Sequence, residues 1–337
     1  MSKAAELAAL IGSQTALSNR NLIINGAMAV AQRGTSASSK TTTGYFACDR
    51  WKTEASGATY DVSQQSLSSS DFSSAPFSHF LRVAVTTGNN NSGVAQKIEA
   101  SAVRNFKGKK FTASFYAKGT NPNGGSFTLS RFFYDGTNAS TSEHTSFTVT
   151  SSWQRFEITF DYPDEGSTDL TLNTAMMSLS FLQPNGDTST NAWTLDITGV
   201  QLEVGEQATP FEHRSFADEL ARCQRYFYAM NVNTTSAPTG TDFILGAAWT
   251  SSQVNTGIAL PVSMRATPTM SFGNASGAYR FYRDGGNDSF DTLESDAQTN
   301  LHLAFAGTSG LSHTAGHGGS VQIRYADGAF INADAEL

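Results

Sequence analysis

Charge is scarce in this sequence. Only 15% of its 337 residues are Asp, Glu, Lys or Arg, against the quarter usual in globular proteins. The 29 acidic residues outnumber the 22 basic ones, for a net charge of −7. Phosphate binding needs clustered Lys and Arg, and no basic aromatic stripe is present, so nucleic acid is excluded as a partner. Cysteine is almost absent. Cys48 and Cys223 stand far apart in the sequence, which is too few for a secreted disulfide scaffold and predicts buried free thiols. No stretch of 18 apolar residues occurs, so no membrane-spanning helix is expected. The N-terminus has no basic region leading into an apolar core, so no export signal is expected either. A repeat of 20–50 residues is missing, which disfavours a solenoid. No Gly-x-Ser-x-Gly follows a strand, and no phosphate-binding glycine loop precedes a helix.

What remains is a chain 39% hydrophobic, with 29 glycines and abundant Ser, Thr and Asn. At this length two domains are expected. From Asn21 to Phe211 apolar residues alternate with polar ones. Phe111, Ala113, Phe115 and Ala117 are the plainest case, repeated in Leu81-Val83-Val85, Phe156-Ile158-Phe160, Met177-Leu179-Phe181 and Trp193-Leu195-Ile197. Period two means strands with one apolar face. Turn signals such as Asp135-Gly136 and Pro163-Asp164 separate them. About 190 residues of this kind, with almost no helix between strands, predict an antiparallel jelly-roll sandwich over residues 21–214.

Residues 232–337 read as a smaller C-terminal β-sandwich behind a polar linker, expected to be the receptor-binding tip. Between the two, Ser215 stands at a helix N-cap with Asp218 three residues on. The apolar residues Phe216, Leu220, Cys223, Phe227 and Met230 then recur in steps of four and three. That period of 3.5 is the spacing of a coiled-coil seam, so residues 215–231 are predicted to be a trimerising linker helix. Two heptads are marginal alone in water, which is why the seam needs partners. A further short helix is expected within residues 1–20, with Leu7, Leu10 and Ile11 near one face.

Chemistry is thinly marked. Most carboxylates lie beside turns, and none stands out as half of a pair for glycan cleavage. His313 and His317 are four apart, but the flanking glycines disfavour a helix and no Cys or Glu completes a ligand set. No metal or cofactor is therefore expected, and no catalytic residue. Aromatic side chains beside polar loops are another matter. Their flat faces suit the C–H surfaces of sugar rings while planar polar groups take the hydroxyls. In the C-terminal domain Tyr279, Tyr282 and Arg283 run into Asp284-Gly285-Gly286-Asn287, and Arg324 with Tyr325 forms a second such group. These five are the predicted carbohydrate-binding residues. Alternation places Phe281 inward and Arg280 and Tyr282 outward. Trp51, Tyr116 and Tyr134 are equivalent candidates in the first domain.

Several segments also carry a likeness. They are NLIINGAMAVAQRG near the start, CDRW at 48–51, FTASFYAKG at 111–119, GVQLEVGEQATPFEHRS followed by DELARCQRYF, LPVSMRATPTM at 260–270 and the terminal DAEL. In this order they resemble bacteriophage tail-fibre and receptor-binding proteins with a carbohydrate-binding-like jelly roll, and they cover most of the chain. The resemblance implies a homotrimeric virion protein of the phage tail, made in the bacterial cytoplasm, that attaches to a host surface glycan. Residues 1–20 would then dock on other tail or baseplate proteins. A surface-glycan depolymerase and a purely structural tail appendage are the alternatives.

Overall fold

The computed structural model of the chain describes residues 19–55, 57–87, 92–121, 124, 126–183, 192–230, 242–324 and 329–337. The expected N-terminal helix with Leu7, Leu10 and Ile11 lies outside these residues, as does Tyr325. The protein is mainly β, and it divides into two compact units, Met1–Glu219 with Leu337 and Leu220–Glu336.

Two six-stranded antiparallel sheets make up the first unit. One is ordered β1 (Ser36–Lys40), β4 (Thr59–Ser66), β5 (His79–Thr87), β12 (Trp193–Val204), β7 (Lys110–Thr120) and β10 (Gln154–Asp161). The other is ordered β2 (Gly44–Tyr45), β3 (Trp51–Glu54), β6 (Gly93–Glu99), β11 (Met176–Leu182), β8 (Ser126–Tyr134) and β9 (Glu143–Thr148). Within them β5-β12-β7-β10 lies over β6-β11-β8-β9, so from β5 onward successive strands cross between sheets except at the β8–β9 pair, and β5 pairs with β12. This is jelly-roll order. The alternation read from sequence sets the faces: Phe111, Ala113, Phe115 and Ala117 of β7 are all fully buried. Phe115 meets Phe181 of the facing sheet edge-on at 4.9 Å, and Phe127 meets Trp193 at 5.3 Å. Cys48 and Cys223 are free and buried, and burial first, then the neighbouring Asp49 charge, pushes the Cys48 thiol well above its usual range.

One irregularity matters later. Thr198 pairs with Tyr116 and Gln201 with Ser114, so β12 advances three residues where β7 advances two. The extra residue is a β-bulge. It lets Ile197 and Val200 both face the core, although an odd and an even position would otherwise point oppositely. Gly199 sits in the bulge at φ +59°, a conformation open to glycine at little cost.

The second unit is a sandwich of unequal sheets. Seven antiparallel strands run β18 (Gly286–Phe290), β17 (Tyr279–Arg283), β21 (Gly318–Ile323), β14 (Asp242–Ala248), β15 (Val254–Ala259), β20 (His302–Thr308) and β19 (Thr292–Gln298). Three more, β13 (Phe227–Ala229), β22 (Ile331–Asp334) and β16 (Thr269–Phe272), form the smaller sheet. Phe272 of the small sheet packs edge-on against Phe305 of the large one at 5.7 Å.

The linker helix is shorter than its spacing predicts. Helix α2 spans Phe216–Gln224, after a short α1 at Ala100–Val103. Its start is as read: Ser215 Oγ accepts from the Asp218 N–H at 3.1 Å and donates to Asp218 Oδ2 at 2.7 Å. Past Gln224 the chain turns into β13, where Phe227 pairs with Asp334. The steps of four and three therefore run across a helix and a strand. Cys223 and Phe227 are 0% and 4% exposed within their own chain, and Met230 packs against the second unit's core. Phe216 is exposed and Leu220 half-buried, so the start of that stripe remains open to a neighbour. The correction is physical: Tyr226-Phe227-Tyr228 are β-forming residues with a strand partner waiting in β22.

Candidate functional site

The face of the first sheet that points away from the core is covered by its own chain. β7 turns Thr112, Ser114, Tyr116 and Lys118 to this side, and β10 adds Arg155 and Glu157 through the register Arg155–Tyr116 and Glu157–Ser114. Two segments lie across it. Residues 67–78 form a closed loop, with Leu67 N–H donating to Ser78 O at 3.0 Å. Asp71 within it takes a hydrogen bond from Ser68 and an ion pair from Lys118 at 3.4 Å. The Ser68 hydroxyl, then the Lys118 charge, outweigh burial and hold the Asp71 carboxyl below its ordinary range.

The second covering segment is residues 206–213, and Gln201 and Glu203 of β12 pin it. Thr209 donates its N–H and its hydroxyl to the two Glu203 oxygens at 2.8 and 2.7 Å, and Glu212 N–H donates to Gln201 Oε1 at 2.8 Å. Glu212 and Arg214 then reach the chain's beginning. Glu212 accepts from the Asn21 and Asn19 N–H groups, and Arg214 donates to the Ile23 and Asn21 carbonyls. The Arg214 side chain is 7% exposed, with Glu212 at 3.2 Å and Glu219 at 3.5 Å. Burial works to raise the Glu212 pKa, but the Asn21 N–H and the Arg214 charge more than offset it and the net shift is downward. The segments NLIING and FEHRS thus meet as a structural clasp. Glu212 and Arg214 are thus spent on contacts within the chain.

Between the two segments a cleft of about 450 Å³ opens over the β12 bulge. Phe77, Phe211, His213 and Tyr116 wall it, and Arg155 and Ser114 supply polar groups. The rings hold one another. Phe77 meets Tyr116 edge-on at 5.4 Å and Phe211 at 4.9 Å, and it stacks on His213 at 5.9 Å. Gly199 makes this arrangement possible, since a Cβ there would stand 2.4 Å from the Phe77 ring. Arg155 is neutralised by its ion pair with Glu157 and also donates to Thr209 O at 3.3 Å. No Asp or Glu is among the lining residues. The cleft is therefore aromatic and polar without net charge, of a size that takes small ligands.

Of the candidates read from sequence, Tyr116 is in this cleft. Trp51 is a core residue, 2% exposed, donating its indole N–H to Asn25 O at 3.0 Å. Tyr134 is half-buried and donates to Gly136 O. In the second unit Tyr279 is fully buried, stacked on Phe290 at 5.4 Å with its hydroxyl on Gly273 O, and offers no face to a ligand. The alternation that sends Phe281 inward sends Tyr279 with it. Arg283 is held by Asp288 at 3.0 Å, and Arg324 donates to Gly277 O at 2.9 Å. Tyr282 keeps a half-exposed face on the sheet's outer side. The His313 ring is buried edge-on against Phe281 and lies 3.4 Å from Asp288. Among the described residues no group of three or more His, Cys, Asp or Glu is placed to hold a metal.

No family model matches the chain, and no curated protein matches it. Solved structures do. The enzymatically active domain of tailspike protein 4 from bacteriophage CBA120 matches at 16% identity and a TM-score of 0.35, over 55% of this chain and 22% of that one. A xylan-binding domain, CBM22-2, from Paenibacillus barcinonensis matches at 13% identity and 0.32, over 46% and 92%. A family 11 carbohydrate-binding module of a Clostridium thermocellum cellulosomal cellulase matches at 17% identity and 0.30, over 51% and 97%. Matches this loose carry no argument about ligand, which has to come from the chain's own residues.

Proposed function

We propose that this protein is a bacteriophage tail fibre, a homotrimer in the virion, which attaches to the bacterial surface by holding a lipopolysaccharide-type glycan in the cleft over the β12 bulge. The observation that carries the glycan reading is the wall of Tyr116, Phe211 and His213 beside Arg155 and Ser114. Aromatic faces take the C–H side of a sugar ring, and the hydroxyl and guanidinium groups take its oxygens. With Arg155 already paired, a neutral saccharide suits the cleft better than an acidic one. The ordered motifs of the sequence support the phage assignment. In this reading the protein is made in the host cytoplasm, and residues 1–20, with Leu7, Leu10 and Ile11, dock it on other tail or baseplate proteins. Weak binding per site would gain strength from several copies on one particle.

The same site supports binding without cleavage. Hydrolysis needs two carboxyl groups facing each other across about 5–10 Å, while the nearby Glu157 and Glu203 are engaged by Arg155 and Thr209. Labelled protein should bind host cells, lose that binding after periodate oxidation of surface sugars, and release no reducing sugar from purified polysaccharide. Binding that survives periodate would refute the glycan reading. Released sugar would turn the assignment to a depolymerase.

A further inference from the structure

The outer face of the seven-stranded sheet carries the two most exposed large apolar side chains among the described residues. Leu245 is 84% exposed and Trp249 70%, and both stand on or just beyond β14, the middle strand. Ile244 and Ala248 point to the core, so Leu245, Ala247 and Trp249 point away from it. The register puts Ser320 of β21 beside Leu245, and Asn255 of β15 beside Ala247. Two strands out, Ala304 and Ala306 of β20 pair with Gly257 and Asn255. Among the described side chains the four central strands thus present two large apolar ones rising from uncharged, mostly small neighbours, with Gln322 and His302 also on this face.

The two flanks carry opposite charges. Arg280 on β17 is on the outer side, touching Ser289 and Tyr282 and no carboxylate among the described residues. Glu294 on β19 pairs with Ala306 and is exposed on the same side. Five strand spacings of about 4.8 Å separate them by about 24 Å, too far to interact within one chain.

We infer that this face is where copies of the chain meet, packed around an axis that runs along the strands. The inference rests on the homotrimer reading above and replaces the helical seam as its physical basis. In a closed ring each copy's β17 flank adjoins the next copy's β19 flank, which gives every Arg280 a Glu294. Three faces of six strand spacings, about 29 Å wide, form a triangular prism whose mid-faces lie about 8 Å from the axis. Leu245 and Trp249 stand on that mid-line and fill the centre, while the small residues beside them leave room for the neighbours' side chains. With a strand length of about 20 Å the face projects about 600 Å², near the roughly 800 Å² each partner gives to a stable interface.

The test is the mass of the full chain in solution by light scattering. Wild type should have the mass of three chains, and Leu245→Glu that of one, with an unchanged circular dichroism spectrum. If Leu245→Glu does not fold, the flanks decide. Arg280→Glu should weaken assembly by about tenfold, and adding Glu294→Arg should restore it. A wild-type monomer overturns both this inference and the trimer reading. A wild-type trimer that neither Leu245→Glu nor Arg280→Glu disturbs overturns the surface alone. Loss of saccharide binding in Trp249→Ala, with mass unchanged, would make the face a sugar site and overturn it equally.

Discussion

Two sheet faces of this protein have opposite fates. On the first unit, the outer face of β5-β12-β7-β10 is polar, and the chain folds two of its own segments over it, fixed by Asp71, Gln201 and Glu203. The outer face of the second unit's large sheet is uncharged along its middle strands, where Leu245 and Trp249 stand exposed, and the described chain leaves it bare. Burying polar groups requires partners for each of them, so the first face is crowded with hydrogen bonds and leaves one opening, the cleft. An apolar face needs no partner-by-partner matching, only another apolar surface. In the proposed reading ligand recognition is thereby separated from assembly: the covered face makes a shaped cleft, and the bare face would make the contact between copies.

The largest effect expected is at the clasp beneath the covered face. Arg214→Ala leaves Glu212 and Glu219 buried without their cation and should cost about 3–5 kcal/mol in denaturant unfolding. If the loss is below 1 kcal/mol, the first unit's cover is not held as described. Gly199→Ala comes next. Its side chain would meet the Phe77 ring in a left-handed backbone, so about 3 kcal/mol of destabilisation and collapse of glycan binding are expected. Tyr116→Ala is smaller and more selective: melting should change little, while saccharide affinity falls about tenfold, or 1.4 kcal/mol.

The smallest effect is at Asp135, whose carboxylate accepts the N–H groups of Thr137, Asn138 and Asp169 at 2.6–2.9 Å. These hold its pKa well below the usual carboxylate range. A group depressed on folding stabilises the protein above its unfolded pKa, near 4, and that contribution is lost as pH falls toward the folded value. Asp135→Asn should therefore lower the melting temperature by several degrees at pH 7 and by less at pH 3. A difference that grows on acidification would contradict the assignment.

Much of the architecture was legible in the sequence. Period-two patterning fixes the faces of β7, β11 and β12, while the bulge between Thr198 and Gln201 came only with the strand register. Helix α2 was half legible: its cap is local, but its end depends on β22, more than a hundred residues away. The cleft was legible only through Tyr116. Phe77, Arg155 and the nearby Phe211 and His213 come from three separate stretches, and only the fold brings them together. The run FEHRS drew notice as a motif, yet alternation divides it, sending Glu212 and Arg214 to the clasp and Phe211 and His213 to the cleft. Tyr279 was misplaced because composition was weighed above parity, which puts it on the same side as Phe281.

An array of bacterial surface polysaccharides, probed with the intact protein and with Tyr116→Ala and Phe211→Ala, tests the central claim most directly. The account predicts saturable wild-type binding to a restricted set of mostly neutral glycans, weakened about tenfold in either variant. Equal binding by all three proteins would contradict it and remove the cleft from the attachment surface.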